Sequence, residues 1–466
     1  MTAPSFSERL VGLLFDHPAS RIPAPATAAT LGCIVDTLGV GIAAAALDVG
    51  TAGARVAART AGPAAIWGRA TRSDPTAAAL ANGMLAHGLD FDDTHPAAIM
   101  HASAVNVPVA LALGQELGTP PAEMLAALTL GYEVSARLGR LGPGPFQDHG
   151  FQSTAVLGIF AAVFIAARLR RVSPATAVQA MGIAGSMASG LMEYLSDGSD
   201  VKQLHPGWAA QAGMQAVALA DAGLTGPRTV LEGRFGVFRA YAGLDIDPDS
   251  VLQPLDGRFE VELMAPKPYP ACLCVHPVVQ AALDLRRRGI LTPDTVDGVA
   301  RIHCEVPPWY VGLVFEPAAD KAAPRTAYEG RFSAPYCLAR AVLDGGVGVR
   351  SFGPDQLNDR RMRAIAAKVT HEARPFAEFP ASFPALVRVV MADGTEHESF
   401  VPHNLGSAGL PLGAAGIEAK FRENVEFAIG RLAADRLHDA IAGLPRTGDA
   451  DALWSAIDAA RIEGLP

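Results

Sequence analysis

Residues 154–171 read TAVLGIFAAVFIAARLRR, and this stretch decides the fold class. It carries no charge before Arg168, so its uncharged part is shorter than the ~20 residues that span a bilayer. It is apolar on every side, where a surface helix would keep one polar face. A helix of that kind belongs in the middle of other helices. The flanking sequence supplies them. AEMLAALTLGYEVSARLG (122–139) and AAQAGMQAVALADAG (209–223) are built from strong helix formers, with Gly or Pro between segments. The small residues of GIAGSMASG (182–190) let helices approach closely.

The helical character holds to about residue 265 and then changes. GVARIHCEV (298–306) alternates as a strand does, and ALVRVVMADGTEHESFVP (385–402) reads as a hairpin turning at Asp393-Gly394. Helical patches, PVVQAALDLRRRG (277–289) and APYCLARAVLDG (334–345), lie between them. The tail returns to helix in ENVEFAIGRLAADRLHDAIAGL (423–444). The expected architecture is mainly α with an inserted α+β module: an all-helical domain of residues 1–265 and 403–466, and a smaller α+β domain of 266–402.

With 50% hydrophobic and 18% charged residues the chain is globular, and a net charge of −9 gives no reason to expect nucleic acid or an anionic membrane as partner. Five cysteines without framework spacing, and a polar MTAPSFSERL start without a signal-peptide apolar region, point to a reducing, cytoplasmic setting. Cys272 and Cys274 are one residue apart, not in a zinc-type C-x-x-C pair.

Five stretches hold side chains able to do chemistry. LDFDDTHPAAIMH (89–101) packs three aspartates and two histidines between apolar segments. It suits acid–base work or a metal, or more plainly Asp92 or Thr94 capping a helix that starts near Pro96. DHGFQSTAVLG (148–158) leads a polar loop into the apolar helix, where the N–H groups of Ser153 and Thr154 suit a carboxylate. EYLSDGSDVKQLHPGWAAQ (193–211) sets Lys202 and His205 just before a helix. MAPKPYPACLCVHPVV (264–279) brackets Lys267 with prolines, and YEGRFSAPYCLARAVLDG (328–345) holds Arg331 and Tyr336, the latter more plainly a core tyrosine. Two lysines and a histidine suit a di- or tricarboxylate. No phosphate loop, dinucleotide fingerprint or zinc signature is present. The natural class is proton abstraction beside a carboxylate, without cofactor or metal.

ANGMLAHGLDFDDTHPAAIMHAS, GYEVSARLG, GFQSTAVLG, AMGIAGSMASGLMEYLSDGSDVKQLHPGWAAQAG, EGRFGVFRAYAG and KPYPACLCVHP, in this order, resemble the MmgE/PrpD family. That family includes 2-methylcitrate dehydratase, cis-aconitate decarboxylase and iminodisuccinate epimerase. The resemblance implies a large all-helical domain with an α+β lid, a homodimer, and a small polycarboxylate substrate. It implies Asp93, His101, Lys202, Lys267 and Tyr336 as catalytic residues; Gln152, Ser153, Thr154, His205 and Arg331 are expected at the substrate. One position departs. Gln152 stands where dehydratases and decarboxylases carry histidine, and a glutamine side chain does not take or give a proton near neutral pH. His149, three residues earlier, is a possible substitute. The expected activity is that of a dehydratase-like hydro-lyase, with a decarboxylase or a dicarboxylate epimerase as alternatives. A non-catalytic carboxylate-binding protein and a terpene-cyclase-like enzyme using Asp90-x-Asp92-Asp93 are the readings from other classes; 6% aromatic residues speak against the cyclase.

Overall fold

A computed structural model describes residues 3–379, 382–407 and 409–465. It forms two compact units: residues 1–266 with 414–466, and residues 267–413. The first is helical. Its principal helices are α1 (Ala24–Ala46), α2 (Pro75–Gly88), α3 (Ser103–Leu117), α4 (Pro121–Arg140), α5 (Ser153–Leu169), α6 (Pro174–Gly185) and α7 (Leu204–Asp221). Every residue of α5 except Arg168 is buried, and α3, α4, α6 and α7 pack around it. Its all-round apolar sequence therefore has the surroundings it requires. Truncating one of its buried side chains, such as Ile159 or Phe160, would cost about 2–5 kcal/mol.

Among the described residues α1, rather than α5, is the helix long and apolar enough to cross a membrane by length and composition, and 78% of its most apolar window lies inside the fold. Helices α2 and α7 meet backbone to backbone. A Cβ on Gly83 would stand 2.7 Å from the Gly207 Cα, and one on Gly207 would stand 2.4 Å from the Leu80 carbonyl oxygen. Only glycine allows that approach, and it sets the end of α2 beside the start of α7.

The second unit has a four-stranded sheet with helices α8 (His276–Arg287) and α9 (Ala334–Asp344). The strands are β1 (Val299–Val306), β2 (Val369–Ala373), β3 (Ala385–Met391) and β4 (Glu396–Val401), in the order β2-β1-β3-β4. β1 and β2 are parallel; β1–β3 and β3–β4 are antiparallel. The hairpin turns at Asp393-Gly394, with Gly394 at φ 86° and the Asp393 carboxylate accepting from the Thr395 N–H at 2.9 Å. The chain then enters α10 (Gly413–Ile429) and α11 (Arg431–Gly443). The second junction lies after Gly413, eleven residues later than the expected break at 402/403. The intervening chain is tied to the α+β unit, since the Leu405 N–H donates to Gln280 at 2.8 Å and the Phe383 N–H to Asn404 at 3.2 Å.

Candidate active site

Helix α2 ends at Gly88, and Asp90 and Ile99 both take positive φ of 51°. The segment 89–102 is an irregular loop. No helix starts near Pro96; α3 begins at Ser103 with no side-chain cap, so Asp92 and Thr94 are not helix caps. The loop is closed by the His95 N–H donating to the Met100 carbonyl at 2.7 Å, and tied to the chain at Ala265 through Thr94. The His95 Nδ1 accepts from the Ala98 N–H at 3.2 Å, so its proton is on Nε2, which donates to Glu260 at 3.0 Å. His95 is thus an anchor of the loop.

Each aspartate has a different task. Asp92 Oδ2 lies 2.7 Å from His87 Nδ1 and 3.4 Å from His101 Nδ1, and the two rings meet edge to face at 4.9 Å. The His101 Nδ1 also lies 3.0 Å from the Asp93 carbonyl. A carbonyl and a carboxylate only accept, so the Nδ1 of His101 carries a proton. The His101 side chain is 16% exposed, whereas Asp92 beneath it is fully buried. Asp90 forms an ion pair with Lys202, both nearly buried. Asp93 acts on His101 through its backbone; its carboxyl accepts from Ser103 at 2.5 Å, and Ser103 in turn bonds to Tyr132. Burial first, and the Asp36 carboxylate second, push the Asp93 pKa up to about 7. Behind the loop, Lys420 of α10 pairs with Asp36 at 2.7 Å, donates to the Phe91 carbonyl at 2.7 Å and lies 3.9 Å from the Phe91 ring centroid.

The start of α5 holds the other side of the loop. The Ser153 hydroxyl donates to the Ile99 carbonyl at 2.6 Å, and the Thr154 hydroxyl accepts from the His101 N–H at 2.9 Å. Both hydroxyls position the histidine loop. Gln152 Oε1 lies 2.5 Å from His205 Nδ1, and its Nε2 lies 3.4 Å from His87 Nε2. Burial, then His87 and Lys202, pull the His205 pKa down to about 4, so its ring is neutral at ordinary pH. His149 does not join this set; it is exposed and lies over Gly243.

Lys267, Arg331 and Tyr336 belong to the α+β unit. Lys267 is buried at its first position. The Arg331 guanidinium lies 5.1 Å from the Phe352 ring centroid. Tyr336 is fully buried in that unit's core, and its hydroxyl donates to the Ser351 carbonyl, the arrangement of a core tyrosine. His87, Asp92 and His101 bring ligand-type atoms within 4.8 Å of one another. The 2.7 Å His87–Asp92 contact is a hydrogen bond. It is shorter than the roughly 3.3 Å between two ligands of a tetrahedral zinc.

Residues 8–248 match the MmgE/PrpD N-terminal domain and residues 269–444 the MmgE/PrpD C-terminal domain. The chain belongs to the MmgE/PrpD family. Among its relatives, the cis-aconitate decarboxylase of Mus musculus is 32% identical over 378 residues, covering 77% of this chain and 74% of the relative. That of Homo sapiens is 30% identical over 439 residues, covering 90% and 87%. That of Aspergillus terreus is 24% identical over 420 residues, covering 85% and 84%. The mainly α fold with a smaller α+β unit is thus that of an MmgE/PrpD enzyme, and the terpene-cyclase reading falls with the family assignment. The aspartates that made it attractive are held by histidines, a lysine and a serine. Within this MmgE/PrpD site, sequence reasoning passed over His87 and Lys420, and it noted Asp90 and Asp92 without placing them in the catalytic set. His87 lies just before the quoted Asp/His stretch; Lys420 sits in the tail, and no local pattern marks it.

Proposed function

We propose that this MmgE/PrpD enzyme is a cofactor-independent carboxy-lyase acting on cis-aconitate or a closely similar tricarboxylate. The decarboxylase relatives support a carboxy-lyase over the hydro-lyase expected from the sequence. The observation that carries the chemistry is His101, a mostly buried imidazole with Nδ1 fixed by Asp92 and Asp93, in the loop whose Asp90 holds the Lys202 ammonium. In cis-aconitate one carboxylate sits on a saturated carbon next to the double bond. When it leaves as CO2, the broken C–C pair becomes a new double bond. The old double-bond pair moves to the far carbon, which takes one proton. His101, as the imidazolium that the Asp92 carboxylate stabilises, supplies that proton from Nε2 and is left as the neutral Nδ1–H ring; Lys202 holds a remaining carboxylate and its developing charge. Lys267 is a second carboxylate-binding lysine on this reading.

The test is carbon and proton NMR of cis-aconitate with the protein in heavy water, with 2-methylcitrate and a set of dicarboxylates alongside. Release of CO2 with one deuterium in the product supports the proposal. Dehydration of 2-methylcitrate without decarboxylation would replace it with the hydro-lyase. Inversion at a dicarboxylate carbon would replace it with an epimerase, a reading that Gln152 favours because epimerisation has no hydroxide to protonate. No turnover of any acid would leave a carboxylate-binding protein.

A further inference from the structure

The site contains a hydrogen-bonded row that crosses from α2 through the start of α5 to α7: Asp92, His87, Gln152, His205. We propose that Gln152 is a positioning residue that holds His87 and His205 each as the Nδ1–H tautomer, leaving the His205 Nε2 lone pair as the site's proton acceptor.

The tautomers follow from the first member of the row. The Asp92 carboxylate at 2.7 Å only accepts, so His87 donates from Nδ1 and bears a lone pair on Nε2. That lone pair faces the Gln152 amide at 3.4 Å, which orients the amide with nitrogen toward His87 and oxygen toward His205. The amide oxygen only accepts, so His205, at 2.5 Å, must donate from Nδ1. Its Nε2 is then unprotonated, and it makes no hydrogen bond among the described residues. With the amide turned round, His87 Nε2 would have to carry a proton and His205 would become the Nε2–H form.

The environment of His205 keeps it neutral. The titratable and charged groups facing it are His87, Lys202 and the Tyr194 ring, at 5.7 Å; Gln152 and Gly190 also border it. No carboxylate acts on it, whereas His101 sits on Asp92. Two imidazoles in one site with opposite surroundings mark an acid and a base. Gln152 also separates them, because an amide donates and accepts hydrogen bonds without passing a proton on. A histidine at this position would connect the row for proton transfer; the glutamine makes His205 an independent base. In the step, a C–H bond beside a substrate carboxylate breaks, its electron pair stays on carbon, and the proton goes to Nε2 to give an imidazolium. The reverse returns it.

The tautomer assignment stands on geometry alone, while the acceptor role rests on the proposed polycarboxylate site and concerns reversible loss of a methylene proton, a step separate from the release of CO2. Long-range proton–nitrogen correlation spectra of the whole protein with 15N-labelled histidine report the first. His87 and His205 are expected as Nδ1–H, and Gln152→Leu is expected to move His205 toward the Nε2–H form. For the second, deuterium exchange into the methylene of unreacted cis-aconitate is followed by NMR. His205→Asn is expected to slow it roughly 10²–10⁴-fold, with KM within a few-fold of wild type. Gln152→Glu preserves the acceptor oxygen, so it is expected to retain exchange. Its carboxylate favours the imidazolium, so the acid limb of the pH profile moves to higher pH. An Nε2–H His205 in the wild type overturns the proposal. An Nδ1–H His205 without methylene exchange, or unchanged exchange in His205→Asn, overturns the acceptor role. If no polycarboxylate reacts in any way, the proposed function falls and the nitrogen spectra still decide the part played by Gln152.

Discussion

Lys202 is buried with its counter-charge, so removing it acts twice. On the proposed function, Lys202→Met takes a charge-assisted contact from the substrate; in the structure it also leaves the Asp90 carboxylate buried beside an apolar chain. We expect kcat/KM to fall by about 2–4 kcal/mol of transition-state stabilisation. A Lys202→Met variant with near-wild-type kcat/KM would place the lysine outside the chemistry. Asp93 gives a pH test with a definite sign. Its folded pKa is raised to about 7 from the ordinary 3.8. Its protonated form therefore suits the fold, and that contribution is full below about 4 and is lost as pH rises toward 7. The span corresponds to at most about 4 kcal/mol. Asp93→Asn should flatten this part of the stability curve and raise stability above pH 7, read by denaturant unfolding from pH 4 to 8. The sequence singled out this loop but did not tell its carboxylates apart. Three aspartates within four residues go to a lysine, two histidines and a serine. What separates them is the left-handed turn at Asp90, which the sequence does not display.

At the scale of elements, α10 carries one buried ion pair into the helical unit beside its apolar contacts. Lys420→Met would strand Asp36 in the core, and breaking a buried pair from one side costs about 3–5 kcal/mol. The double variant Asp36→Asn/Lys420→Met should cost clearly less than Lys420→Met alone, since it removes the orphaned charge. Equal destabilisation of the two would mean that the pair itself contributes little. The α2–α7 crossing offers a second test. Gly207→Ala drives a methyl toward the Leu80 carbonyl, which is backbone and yields little. We expect a loss of about 1–3 kcal/mol, with activity falling further as His87 and His205 move apart. Helix α5, strand β1 and the hairpin were all legible, because apolar periodicity and an Asp-Gly turn mark them locally. Strand β2 was not, since VTHEA is polar and mostly solvent-facing and only its pairing with β1 makes it a strand.

For the whole molecule, the composition change near residue 265 located the first junction, because prolines and alternation begin there. The second escaped because residues 403–413 resemble neither neighbour, and only their hydrogen bonds to the α+β unit assign them. The metal question also belongs to this scale. His87 and Asp92 are already joined by a hydrogen bond, and His101 Nδ1 lies on the Asp93 carbonyl. We therefore expect exhaustive EDTA dialysis to leave turnover intact; loss of activity restored by zinc or magnesium would show that the trio ligates an ion.

The discontinuous helical unit has a consequence for how the protein is made. Lys420 follows Phe91, whose carbonyl it secures, by 329 residues. At a translation rate of ~5–20 residues per second that is roughly 15–65 s on the ribosome. Throughout that interval the nascent chain holds Asp36, Asp92 and Asp93 with no lysine behind them. The α+β unit, a single continuous stretch, is fully synthesised before the helical unit that started first receives its last helices. The charged loop is thus sealed at the end of synthesis, and a chain released before α10 carries every residue of the histidine row without the cation that backs its loop.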